Sequence, residues 1–280
     1  MLVIYMNLYI KREHVIKKDG HDNIPHFHND IELICVLKGT MDCQTNKEVF
    51  SLSKGDICFI NKNQIHNLYT DSDSEHINLI CSSKLFTGDN EIYDKYIKPV
   101  IDDLSFSHVK FDSTLGYTSK IYDLILEIET LLNKKSVAYE LDIISNLHTI
   151  FKHLYIAYTK GYNKTKVIDE NTIIQHKMID FIKKNYAQEL TLDDIAGSAN
   201  VSISKCSRVF KEYTRMSPIT YLNNFRINMA ASMIIKSSET ISSIAMECGF
   251  SSQSYFNRLF LKEYGVTPKE YRHKKQKELL

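Results

Sequence analysis

The chain has 280 residues, of which 43% are hydrophobic and 25% charged, with a formal net charge of +1. Such a composition is globular and has room for two domains; it excludes extensive disorder, and no apolar run reaches transmembrane length. The charge is unevenly spread: residues 1–170 carry 19 Lys/Arg against 24 Asp/Glu, a formal −5, whereas residues 171–280 carry 16 against 10, a formal +6, which points to nucleic acid as partner of the C-terminal part.

The N-terminal run "MLVIYMNLYIKREH" puts its apolar residues before its basic ones, the reverse of a secretory signal, and reads as a first strand. The stretch "HFHNDIE" follows at residues 26–32. In a strand, side chains two apart share a face, so His26, His28, Asp30 and Glu32 are expected to line one side. The runs "IELICVLKG", "EVFSLSKGDICFINKN" and "HINLICSS" are short, apolar or alternating, and punctuated by Gly, Asn, Asp and Ser. They predict a sandwich or barrel over residues 1–84. Cys35, Cys43, Cys58, Cys81, Cys206 and Cys248 form no CxxC pair, and most sit in apolar runs, so buried thiols of a cytoplasmic protein are expected.

Gly20, His26, His28, Glu32 and Gly39 are spaced as in the first motif of the cupin barrels. "GDICFINKNQIHNLYT", from Gly55, resembles the second cupin motif with His66 at the histidine position. It departs at the turn positions Asn61, Asn63 and Thr70, where proline, glycine and asparagine are usual. The resemblance implies that His26, His28, Glu32 and His66 converge on adjacent strands. Three imidazoles and a carboxylate could hold a divalent metal such as Fe, Mn, Ni or Zn. The same groups could bind an organic effector, or form hydrogen bonds at the barrel mouth. No cofactor other than that metal is suggested.

Steps of three and four between apolar residues mark two amphipathic helices. One covers 119–133, through Ile121, Leu124, Ile125, Ile128, Leu131 and Leu132; the other covers about 137–158, through Leu141, Ile144, Leu147, Ile150, Phe151 and Leu154. "TKGYNKTKVIDENT" lacks apolar periodicity and reads as a linker. The expected domains are 1–160, a linker at 161–172, and 173–280.

From Ile173 onward the chain reads as helical and contains an internal repeat. Ala196 and Asn200 match Ala245 and Gly249 at an offset of 49. Arg208, Phe210, Pro218 and Tyr221 match Arg258, Phe260, Pro268 and Tyr271 at an offset of 50, with one residue inserted in the second turn. Each copy has the makings of a helix-turn-helix. The alanine allows close crossing, Asn200 and Gly249 tolerate positive φ, Ser202 and Ser251 are placed to cap the second helices, and Phe210 and Phe260 meet the core. Residues 219–236 read as one helix joining the copies, about 27 Å long. That compares with about 34 Å between major-groove segments on one face of DNA.

This tandem pattern, ending "IAMECGFSSQSYFNRLFLKEYGVTPKEYR", resembles the DNA-binding domain of AraC/XylS transcription regulators over residues 173–273. The resemblance implies two recognition helices in successive major grooves of double-stranded DNA. The outward positions are Ser204, Lys205, Ser207, Arg208 and Lys211 on the first, and Gln253, Ser254, Asn257, Arg258 and Lys262 on the second. Arginine can pair bidentately with guanine, and Gln or Asn with adenine; the first helix leads with short serines, so its discrimination rests on Arg208. The expectation is an α+β protein of two domains: a cupin-like β-barrel with dimerisation helices, then an all-α domain with two helix-turn-helix motifs. Its function is expected to be that of an effector-sensing transcription regulator, not an enzyme. Its partners are DNA, a small-molecule effector, a second copy of the chain and RNA polymerase, with no membrane. A cupin metalloenzyme fused to a DNA-binding module is the alternative.

Overall fold

The computed structural model describes residues 3–5, 8–15, 24–86, 90–103, 105–114, 116–161 and 170–278. The chain divides into two compact units, one carrying every described strand and the other the helices from Glu170 onward. That first helix of the second unit starts three residues before the expected boundary.

In the first unit the strands are β1 (Val3–Tyr5), β2 (Leu8–Val15), β3 (Ile31–Lys38), β4 (Thr40–Thr45), β5 (Glu48–Ser53), β6 (Ile57–Ile60), β7 (His66–Tyr69), β8 (Ser74–Cys81) and β9 (His108–Phe111). They form a six-stranded sheet in the order β1-β2-β8-β3-β6-β9 and a three-stranded sheet in the order β5-β4-β7, paired antiparallel throughout. The N-terminal run is thus two paired strands, not one, because its unbroken apolar character hides the reversal. Strand β3 is buried on both faces and reads as a continuous apolar run. Ile34 and Val36 join Met41, Cys43, Leu52, Cys58, Ile60 and Leu68 between the sheets. Ile31, Leu33 and Cys35 face the opposite way, toward helices.

Short helices α1 (Asn90–Ile92) and α2 (Lys98–Asp102) flank a π turn, and two long helices follow, α3 (Gly116–Lys134) and α4 (Tyr139–Thr159). Ile121, Ile125, Ile128 and Leu132 of α3, with Ile143, Leu147, Ile150 and Leu154 of α4, bury their stripes in the core on the outer face of the large sheet. Arg12 on β2 forks onto both carboxylate oxygens of Glu129 on α3, at 2.9 and 2.5 Å, and reaches Glu75 at 3.0 Å. All six cysteines are buried and free.

The second unit comprises α5 (Glu170–Asn185), α6 (Leu192–Ser198), α7 (Ile203–Thr214), α8 (Pro218–Lys236), α9 (Ile241–Glu247), α10 (Gln253–Tyr264) and α11 (Pro268–Glu278). Helix pairs α6–α7 and α9–α10 are the two copies of the repeat. Asn200 and Gly249 hold φ of 55° and 84° in their turns. A Cβ on Gly249 would stand 2.6 Å from the Tyr186 carbonyl oxygen, so this glycine also permits close backbone approach. Ser202 caps α7 as expected, accepting from the Lys205 amide. The cap of α10 is Ser252, not Ser251: its hydroxyl accepts from the Tyr255 amide. The inserted residue precedes the cap, so the offset is already 50 there.

Helix α8 runs unbroken for 19 residues, about 28 Å at the standard rise. From its middle, buried Arg226 donates through Nε to the Tyr186 carbonyl and through an Nη to the Gln188 carbonyl, both at 2.7 Å. Its guanidinium lies 5.8 Å from the Phe250 ring. One side chain thereby ties the connection before the first copy to the turn of the second. Among the described residues, no helix is long and apolar enough to cross a membrane.

Candidate functional site

The four residues singled out in the barrel come together. One ligand atom each from His26, His28, Glu32 and His66 lie within 4.8 Å of one another. The route differs from the one expected. Only Glu32 lies on β3; residues 29–30 form a bend, and His26 makes an isolated antiparallel bridge with His66, N to O at 3.0 and 2.8 Å. The backbone bridge, not a shared strand face, brings the imidazoles together. Asp30 is outside the group and instead offers its carbonyl to His28 Nδ1 at 3.0 Å. Two departures from the cupin motif are absorbed locally. Asn63 takes the positive φ usual for glycine, 59°, and its amide donates to the His28 carbonyl. Asn61 donates to the carbonyls of Val100 and Phe106.

The centre has a definite polarity. His28 Nδ1 and His66 Nδ1 each face a carbonyl, of Asp30 and of Gln64, which can only accept. Those nitrogens therefore carry protons. Both Nε2 atoms then face the same oxygen, Glu32 Oε2, at 3.1 and 2.9 Å. Glu32 is 2% exposed, and burial alone would favour its neutral form. The facing His66 and His28 override burial and hold its carboxyl far below the usual carboxylate range. Conversely, Glu32 overcomes the effect of burial on His28 and raises its pKa. A carboxylate with two imidazole edges on one oxygen suits a cation or a hydrogen-bond donor at that point. The donor set and its convergence also fit a divalent metal.

Tyr9 belongs to the same interior row and was not legible as such. It pairs with Ile80 across β2–β8, and Glu32 pairs with Ile80 across β3–β8. Burial, with the charges of Glu13 and Glu32, pushes its phenol up to about 12. Even spacing from Tyr9 to Glu13 was the available signal, but the run reads equally well as a plain apolar strand.

On the second unit, α7 buries Cys206, Val209, Phe210 and Tyr213. Ser204, Arg208 and Lys211 are exposed on the other side, with Lys205 and Ser207 half-buried at the flank. Lys205 lies 3.8 Å from the Glu170 carboxylate. Helix α10 buries Phe256 and Phe260 and exposes Gln253, Ser254, Asn257, Arg258 and Lys262. The Arg258 guanidinium stands 5.2 Å from the Tyr255 ring centroid, and the Tyr255 hydroxyl accepts from Asn223 of α8 at 3.1 Å. Ile203 was overlooked. It is 45% exposed at the first turn of α7 and matches Gln253 at the offset of 50, where an apolar side chain can meet a thymine methyl.

Comparison with known proteins agrees with both halves. Residues 15–98 match the family model for an AraC-like ligand binding domain, and residues 195–274 match one for a helix-turn-helix domain. The HTH-type regulator YdeC of Bacillus subtilis is 26% identical over 250 residues, covering 88% of this chain and 85% of YdeC. The transcriptional activator RhaS of Escherichia fergusonii is 25% identical over 249 residues, covering 88% and 86%. These relatives are transcription regulators. ToxT of Vibrio cholerae, solved with an unsaturated fatty acid bound, shares the fold at a TM-score of 0.55 over 97% of both chains, with 17% identity. With a matched ligand-binding domain before a matched helix-turn-helix domain, in a repeat that carries two such motifs, the chain belongs to the AraC family of transcription regulators.

Proposed function

We propose that this regulator works in the cytoplasm as a homodimer, takes a small-molecule effector at His26, His28, Glu32 and His66, and reads double-stranded DNA with the outer faces of α7 and α10. Bound beside a promoter, it would meet RNA polymerase. The observation that carries the DNA reading is the pair of equivalent, solvent-facing recognition helices on one rigid α8. Arg258 is the leading base reader, since Tyr255 backs its guanidinium. Arg258→Ala is expected to cost about 1–3 kcal/mol of binding and to relax the preference at one operator position. Equilibrium binding to a site and its single-base variants checks this; an equal loss on every sequence would make Arg258 a phosphate contact.

The convergence of four ligand atoms supports the effector site. An anionic ligand such as the fatty acid of ToxT would oppose the ionised Glu32, so the group favours a cation or a donor. A second reading follows: His26, His28, Glu32 and His66 would hold a divalent metal, which would supply an anchor for an effector's oxygen atoms. Metal analysis of the purified protein decides between them. Neither reading asks the centre for turnover.

For the homodimer, the support is apolar surface left over after both helices pack on the sheet. Leu141 is 73% exposed and Ile156 41%. A groove lined by Ile92, Tyr96, Tyr155 and Ile156 opens beside α4. Leu141→Asp with Ile156→Asp should give monomers that bind DNA weakly, with little change in stability. Sedimentation of the unmodified protein checks the premise: a monomer at micromolar concentration, with and without DNA, would end it.

A further inference from the structure

The two recognition helices open differently. Each follows a serine cap, so the next residue holds the same place in both copies: Ile203 at the start of α7 and Gln253 at the start of α10. The cap fixes that place in α7. Ser202 accepts from the Lys205 amide through its hydroxyl at 3.3 Å and from the Cys206 amide through its carbonyl at 2.8 Å. Glutamine at this position offers an amide for hydrogen bonding, and isoleucine offers no polar group. Ile203 is nevertheless 45% exposed, whereas Val209, Phe210 and Tyr213 of the same helix are buried. A lone exposed isoleucine is ordinary on a protein surface. This one stands on the N-terminal turn, the part of a recognition helix that meets base edges.

Its neighbours allow a close approach. Ser204 follows directly, and Ser207, four residues on, lies on the same side of the helix as Ile203. Both are short, so neither holds the first turn of α7 away from a base edge. Their hydroxyls can donate or accept, and so discriminate little between bases. Of the four bases, thymine alone presents an apolar group in the major groove, its 5-methyl. The others present donors or acceptors, which an isoleucine would strip of water without replacing it.

We propose that Ile203 is a specificity-determining residue of this regulator. It packs on the 5-methyl group of a thymine beneath α7, so one operator segment is chosen by an apolar contact and the other by hydrogen bonds. This rests on the reading of α7 and α10 as the helices that meet DNA. Arg208 follows Ile203 at about 7.5 Å along the helix, which puts the thymine about two base pairs from the base that Arg208 reads. The first measurement changes the DNA and leaves the protein alone. On a duplex selected by the full-length protein, each thymine is replaced in turn by deoxyuridine, which lacks only the methyl group. One such replacement should weaken equilibrium binding about fourfold, the worth of one buried methyl group. Ile203→Ala keeps a good helix former at the position and should weaken binding to the thymine duplex by at least as much. It should bind that duplex and its deoxyuridine counterpart equally. Equal binding of all these duplexes by the unmodified protein overturns the proposal, as does an Ile203→Ala protein that keeps the same methyl dependence throughout. Arg208→Ala separates this failure from a failure of the underlying reading. If it weakens binding while the methyl groups count for nothing, the proposal falls and α7 still reads DNA by hydrogen bonds. If it too changes nothing, the reading of α7 falls with the proposal.

Discussion

Arg226→Met is expected to destabilise the helical unit by roughly 3 kcal/mol, since two charge-assisted hydrogen bonds to carbonyls are lost in a nearly buried site. Arg226 is 8% exposed, and methionine fills much of its stem volume without replacing either bond. The consequence for DNA should exceed the loss in stability. Arg226 joins the connection at Tyr186 and Gln188 to the Phe250 ring in the second turn. Without it the two recognition helices lose part of their fixed relation, and sites that need both should suffer more than half-sites. Denaturant unfolding with parallel binding to full and half sites measures both effects. A change in stability below about 0.5 kcal/mol, the level of a plain surface substitution, would contradict this account of Arg226.

His28→Ala with His66→Ala should be at least as costly in the barrel, by about 3–5 kcal/mol, because it leaves the buried Glu32 charge without its partners. Adding Glu32→Gln to that background should recover part of the loss, since the uncompensated charge disappears. Both variants should lose any bound metal and the response to effector. DNA binding by the helical unit should persist at temperatures where that unit stays folded. The comparison needs thermal melts, metal analysis and DNA titrations of the same three proteins. A double variant that melts like the unmodified chain would show that the imidazoles do not hold the Glu32 charge.

Linkage gives the sign of the pH effect. Glu32 has a depressed pKa in the folded protein, so its contribution is present above its unfolded value, near 4.3, and is lost as pH falls below that. His28 has a raised pKa, so its contribution is full below about 6.5 and is lost as pH rises through its higher folded value. The pair is therefore strongest between those two limits.

The helical half was legible because its signals are short-range. A small residue at the crossing, a positive φ at Asn200 or Gly249, and a serine cap are local demands of backbone geometry, and they recur at a fixed offset. The error at Ser251 shows the limit of such reasoning: a one-residue insertion moves the cap, and only the backbone shows on which side of it the insertion falls. Arg226 was invisible for another reason. Its partners are carbonyls 38 and 40 residues away, and any residue type could supply them. In the barrel, the cupin-like spacing picked out four side chains that do converge, but suggested the wrong means of joining them. His26 reaches the centre through a bridge to His66, and no periodicity encodes a bridge.

The central claim is that the chain reads DNA through two helices and that its barrel gates that reading. It is tested most directly by selecting sites for the full-length protein from a pool of random duplexes, then titrating the winner against scrambled DNA at two salt concentrations. The prediction is one enriched pattern with two recognised segments about 10 base pairs apart. Its affinity should exceed that for scrambled DNA by about a thousandfold or more, with binding to both weakening as salt rises. Recovery of no common pattern, with selected and scrambled DNA bound equally at both salt concentrations, would contradict it.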